Sequence, residues 1–159
     1  MLSDSDAAFL RRAFEVALRA REEGNLPFGC VVADVAGSVV IEQGNRALVP
    51  VRDPTAHAES IAAGLAARRY QPEELAGFTL YSSAEPCAMC AGAIYWSGIG
   101  RVVFGLSERD LLALTGSHPA NPTMDMPCRE VLATGQRDLE VLGPELIDEA
   151  QRVFEGYWD

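Results

Sequence analysis

Two short segments, His57-Ala58-Glu59 and Pro86-Cys87-Ala88-Met89-Cys90, constrain this chain more than anything else in it. A histidine nitrogen and two cysteine thiolates are good zinc ligands, and three protein ligands leave the fourth tetrahedral position open for water, as catalytic sites require. Cys87 and Cys90 are three residues apart, so on a helix they share a face and can share a metal. Pro86 suits the first turn of that helix. The free N–H groups and positive dipole end there favour thiolate over thiol. His57 follows Pro54 and Thr55 in a second helical first turn. Glu59, two residues on, would point to nearly the opposite side of a regular helix, at ~100° per residue. Both side chains reach one site only from the helix tip. The fold must therefore bring two helix N-termini together at the metal.

The rest of the chain is read around that requirement. Leu10, Ala13, Phe14, Ala17 and Leu18 recur at helical spacing, which predicts a first helix over Asp4–Glu23, capped by Ser3 or Ser5 and ended by Gly24. Cys30–Val35 and Ser38–Glu42 are β-branched runs split by Ala36-Gly37, a hairpin pattern. Gly44-Asn45 opens a loop through Pro50 and Pro54 to a second helix, Thr55–Arg69. Further strands are expected at Phe78–Ser82, Arg101–Phe104 and Leu139–Leu142, and helices at Cys87–Ser97, Ser107–Leu114 and Pro144–Trp158. Gly116–Pro127, with three prolines, reads as a loop on the surface or over a site. The later alternation of strand and helix implies a layered α/β domain with parallel pairing where helices cross over. At 159 residues, one domain spanning the whole chain is expected, large enough to bury a core without disulfides.

Charge narrows the partners. The net charge is −10, and all 13 basic residues are scattered arginines. Nucleic-acid binders commonly present a basic face that neutralises phosphate, so this balance argues against one. No apolar stretch approaches the ~18 residues of a membrane span, and the acidic N-terminus does not resemble a signal peptide. A cytoplasmic protein with reduced cysteines is the expectation, its four cysteines serving as metal ligands or small core residues.

With zinc bound, the residues assign themselves roles. Zinc lowers the pKa of a bound water toward ~7, and Glu59, nearby but unligated, can take its proton and return it as an acid. Such chemistry suits attack on an amidine-like ring carbon and loss of ammonia. The H-x-E…P-C-x-x-C pattern is the zinc-deaminase signature. Asp53-Pro54-Thr55-Ala56-His57-Ala58-Glu59 and Glu85-Pro86-Cys87-Ala88-Met89-Cys90 strongly resemble the cytidine/deoxycytidylate deaminase superfamily. Within it, the branch of guanine deaminases, tRNA adenosine deaminases and fungal cytosine deaminase is most similar, over roughly Phe9–Gly105.

That resemblance implies a three-layer α/β/α fold with a central five-stranded mixed sheet, one zinc per chain held by His57, Cys87 and Cys90, Glu59 as the catalytic acid–base, and a homodimer. Pro27-Phe28-Gly29 and Ala91–Trp96 look like the guanine deaminase pattern. By resemblance, Phe28 and Trp96 line the base pocket, Asn45 hydrogen-bonds the base, and aromatic Tyr157 and Trp158 close over it. Aromatic walls suit a flat heterocycle, and an amide offers both donor and acceptor. A guanine edge also asks for an acidic acceptor, for which Glu108 and Asp110 are candidates. The small-molecule substrate implied is guanine or a related aminated purine, with tRNA adenosine second and a cytosine-like base third. Phe28 and the acidic C-terminus depart from the tRNA-editing pattern; the Thr115–Cys128 loop departs from the guanine pattern.

Plainer alternatives stand beside these. A structural zinc module would need a fourth ligand, which Cys128 or His118 could supply. A scaffold without activity would have no use for Glu59. Phe28 and Trp96 could be core, Tyr157 and Trp158 a dimer contact, Asn45 a turn former. Cys30 reads as a core residue, His118 as loop or pocket rim, and Cys128 as buried beside the closing helix.

Overall fold

The computed structural model describes residues 1–159. A five-stranded sheet runs through the middle, ordered β2-β1-β3-β4-β5, from β1 (Gly29–Ala33), β2 (Val39–Gly44), β3 (Thr79–Ala84), β4 (Arg101–Leu106) and β5 (Glu140–Leu142). β1 is antiparallel to both β2 and β3, while β3, β4 and β5 run parallel. Central strands β1, β3 and β4 are buried nearly throughout, as expected of strands covered on both faces.

Each face carries its own core. Helices α2 (Ala58–Arg69), α3 (Pro72–Leu75), α4 (Ala88–Ser97) and α6 (Cys128–Ala133) pack on one, around Val32, Leu80, Ile94 and Phe104. On the other lie α1 (Asp4–Glu22), α5 (Glu108–Thr115) and α7 (Ile147–Arg152), around Leu10, Phe14, Val31 and Val103. The three-layer α/β/α arrangement with a mixed five-stranded sheet is thus present. Close approach of α1 to β1 depends on Gly29, where a Cβ would fall 2.4 Å from the Ala17 backbone nitrogen.

α1 starts as the capping pattern predicts, in a capping box between Ser3 and Asp6. Asp6 then turns inward. Its carboxylate accepts from Arg101 at 2.7 and 3.1 Å and from the Tyr81 hydroxyl at 2.8 Å, fastening α1 to β3 and β4. Hydrogen bonding from Arg101, foremost, holds the Asp6 carboxyl far below its ordinary range against the opposing effect of burial.

Several sequence expectations shift. Leu18 is exposed, so the apolar stripe of α1 lacks its last member. The closing helix is only Ile147–Arg152 long: Leu146, its N-cap, sits in the left-handed region and sets its late start, and turns after Arg152 bend the chain back so that Phe154 and Trp158 reach the core. β3 and β4 each run two residues further than predicted, and α3 and α6 are additional. Cys128 begins α6 and packs with α2 and α4, on the face opposite the closing helix.

Candidate active site

Topology gathers the site at one edge of the sheet. The start of β1 opposes the end of β2, Gly29 pairing with Gly44, and the parallel strands β3 and β4 end at the same edge, Ala84 pairing with Leu106. Phe28, Asn45, Glu85 and Glu108, each next to one of these strand ends, therefore converge although sequence separates them widely. Crevices outside the carboxyl ends of parallel strands are where α/β folds bind ligands.

His57 and Cys87 are the N-cap residues of α2 and α4, so two helix N-termini do meet, as the ligand spacing requires. The His57 Nδ1 lies 3.6 Å from both the Cys87 and Cys90 Sγ atoms, and the three ligand atoms fall within 4.8 Å of one another. A tetrahedral zinc with Zn–S of about 2.3 Å and Zn–N of about 2.05 Å sets sulfur and nitrogen roughly 3.6 Å apart. The donor set thus fits one zinc ion in both chemistry and spacing. Neither Cys128 nor His118 joins the group, which removes the fourth ligand that a closed structural site needs. The Cys87 thiol is drawn well below its ordinary range, first by the hydrogen bond from the Cys90 thiol and then by His57, and so is poised as a ligand thiolate. Hydrogen bonding to Cys87, foremost, raises the His57 imidazole.

Glu59 is buried beside this group. Ser82 Oγ donates to its Oε1 at 2.7 Å, and the Cys90 thiol approaches Oε2 at 3.7 Å. Burial, foremost, raises its carboxyl above the ordinary range.

The group opens into a cavity of about 540 Å³, within the usual size of small-ligand pockets. Phe28, Asn45, Glu108 and Tyr157 line it, as expected. Asn45 Oδ1 accepts the Ala47 N–H at 2.9 Å, so it forms a turn while its amide nitrogen takes no partner in the chain. Glu108 is only 6% exposed, and its carboxylate has no hydrogen-bond partner in the chain. Burial, foremost, followed by the negative charge of Cys87, pushes it up to about 8.

Three expected pocket residues lie elsewhere. Trp96 is 84% exposed, because the face of α4 opposite Ile94 turns away from the sheet. Asp110 accepts the Ser107 hydroxyl at 2.6 Å and is consumed in the cap of α5. Trp158 packs back onto the α1-side core, edge-on to Tyr157 and to His118, so only Tyr157 reaches the cavity. His118 itself shapes its loop, Nδ1 accepting the Ala120 N–H at 3.1 Å. Cys30 is a buried strand residue.

The Gly116–Pro127 loop, expected on the surface or over a site, lies over the site, where Pro119–Met124 form one wall of the cavity. Sequence reasoning passed over one contributor, Glu85. It lines the same cavity and accepts the Glu108 N–H at 2.9 Å and the Cys128 N–H at 2.7 Å. Its signal was an acid placed between a strand end and a ligand-bearing helix.

Residues 3–106 match the family model of the cytidine and deoxycytidylate deaminase zinc-binding region. A Schizosaccharomyces pombe protein named "Probable cytosine deaminase" is 44% identical over 158 residues, covering 99% of this chain and 95% of that protein. The tRNA-specific adenosine deaminase of Haemophilus influenzae is 44% identical over 106 residues, 67% of this chain and 61% of that enzyme. Among solved structures, a guanine deaminase from Nitrosomonas europaea superposes with a TM-score of 0.76 at 24% identity, over 99% of this chain and 85% of that one. At that identity the likeness concerns the fold.

Proposed function

The chain belongs to the cytidine and deoxycytidylate deaminase family, hydrolases of C–N bonds that bind zinc, and from that premise we propose that it deaminates a small free nucleobase, guanine or a related aminated purine. The observation that carries this reading is Glu108, a buried, unpartnered carboxylate in the same cavity as Glu59 and the His57–Cys87–Cys90 group. A buried carboxyl left free by the protein is completed by a ligand whose N–H donors stabilise its ionised form. Phe28 and Tyr157 supply aromatic surface for a flat ring, and the Asn45 amide a donor.

His57, Cys87 and Cys90 would hold one zinc, which when bound supplies a Lewis acid that makes water a competent nucleophile near neutral pH. Glu59 takes a proton from the attacking water, delivers it to the ring nitrogen beside the attacked carbon, and then assists departure of the amine. Water is consumed, the C–N bond is replaced by C=O, and ammonia leaves. Ser82 orients the Glu59 carboxylate, and burial keeps it a strong enough base to accept the proton and acid enough to return it.

Free cytosine is a second reading, favoured by the near full-length similarity to the S. pombe protein. The net charge of −10 and the shorter match to the tRNA enzyme weigh against tRNA. A homodimer is also proposed, for which the exposed Trp96 and Met89 on α4 offer apolar surface; sedimentation of the wild type and of Trp96→Arg tests it. Ammonia release from guanine, guanosine, cytosine, adenine, cytidine and a tRNA anticodon stem, with bound zinc measured alongside, tests the substrate. Turnover of guanine above the other members supports the first reading, turnover of cytosine replaces it with the second, and turnover confined to the tRNA stem overturns both.

A further inference from the structure

Glu85 has no place in the proton transfer and no place in the metal group, yet it is 6% exposed with both carboxylate oxygens engaged. Oε2 accepts from Glu108, the first residue of α5, and Oε1 from Cys128, the first residue of α6. Its own N–H donates at 2.7 Å to the carbonyl of Leu106, the last residue of β4. One side chain on the turn that carries Cys87 therefore holds the start of α5, with Glu108, and the point where the Gly116–Pro127 loop rejoins the body. That loop supplies Pro119–Met124 to the cavity wall. Its remaining ties are weak: Arg109 pairs with Asp125 at 3.0 Å with both side chains more than half exposed, and His118 meets Trp158 edge-on. Exposed ion pairs contribute little, whereas hydrogen bonds from N–H groups to a buried carboxylate are strong and costly to lose.

We propose that Glu85 is a positioning residue that sets both cavity walls, Glu108 on one side and the Pro119–Met124 loop on the other, at a fixed height over the turn bearing Cys87 and Cys90. It acts on substrate through those walls and touches no reacting atom. The inference rests on the reading that this cavity takes the base being deaminated.

The test is Glu85→Gln in the full zinc-loaded chain. A glutamine can still accept one N–H, but it turns its own NH₂ toward the other, so one of the two ties is lost. One zinc per chain should remain bound, and amide hydrogen exchange across residues 116–128 should quicken. Misplacement of a binding wall by about an ångström costs up to roughly a hundredfold, so KM should rise about tenfold to a hundredfold while kcat stays within about threefold. Arg101→Gln, which loosens the Asp6 pair in the opposite layer, should lower Tm and leave KM unchanged. A Glu85→Gln protein with lower Tm but wild-type KM well below that Tm overturns the proposal, because Glu85 then only fastens α6. Loss of zinc from Glu85→Gln also overturns it. Should no base in the panel be turned over by wild type, the functional reading fails on its own; exchange across 116–128 then judges Glu85, faster exchange supporting the brace and unchanged exchange refuting it.

Discussion

Replacing Glu59 by Gln separates chemistry from stability at this site. The side chain keeps its size, and its remaining carbonyl oxygen can still accept the Ser82 hydroxyl now bonded at 2.7 Å. What disappears is the ability to take and return a proton. Positioned general acid–base catalysis is worth roughly 10²–10⁴-fold, and Glu59 serves in more than one transfer, so kcat should fall by about 10³-fold or more. Stability should move the other way or not at all. Glu59 is 5% exposed and the Ser82 hydroxyl is the one side-chain O–H that donates to its carboxylate, so the folded state bears a desolvation cost that a neutral amide escapes. Two thiolates and a neutral imidazole around Zn²⁺ sum to zero net charge, so the metal group as a whole does not offset that cost. Ammonia release coupled to a reductive amination assay, thermal unfolding at pH 7 and zinc content on the same preparation would read all three quantities. Zinc-loaded Glu59→Gln retaining more than about a tenth of wild-type kcat would refute the acid–base role, since a positioned acid–base group is worth at least about 10²-fold. A Tm several degrees below wild type would refute the account of burial.

Other expectations follow from the same geometry. Above about pH 8, where its carboxyl is ionised, Glu108→Gln should raise KM for the base about tenfold, as expected for losing a charged hydrogen-bond acceptor, with kcat little changed; an unchanged KM there would remove Glu108 from substrate binding. Burial pushes the Glu108 carboxyl up to about 8, so it gains charge as pH rises, and wild-type kcat/KM should increase through that range while Glu108→Gln stays flat over it. Asp6→Asn should cost about 2 kcal/mol at neutral pH in urea unfolding, less than the ~3–5 kcal/mol of a fully buried pair because Arg101 is 22% exposed. The Asp6 carboxyl is lowered on folding, so its contribution is complete above the unfolded value near ~3.9 and is lost as pH falls toward the folded one; the gap between wild type and Asp6→Asn should narrow below pH ~4. Gly29→Ala should destabilise by about 1–3 kcal/mol or more, because the added methyl meets the backbone of α1 at Ala17 and Val16, which cannot rotate away; a neutral result would mean that α1 is less closely seated on β1.

The metal group and the chemistry class were legible in two short motifs. Ligand type, the three-residue spacing of Cys87 and Cys90, and the i, i+2 relation of His57 and Glu59 allow only a site at two helix tips, and the prolines just upstream, Pro54 and Pro86, mark where those helices can begin. Element order was legible for a similar reason, since hydrophobic period and turn residues are local signals. Which face of an element meets the cavity is not local. Trp96 shares α4 with Cys90 and Ile94, but only the packed α4–sheet orientation shows that its side is turned out. Asp110 and Glu108 are near neighbours of the same kind, and the Ser107 cap takes one while burial beside Glu85 leaves the other lining the cavity. Trp158 follows Tyr157 directly, yet the bend after α7 sends one to the core and the other to the pocket. The role of Glu85 is the furthest from view. Its partners, Glu108 and Cys128, lie 23 and 43 residues away, and nothing short of the assembled sheet edge brings their N–H groups to one carboxylate.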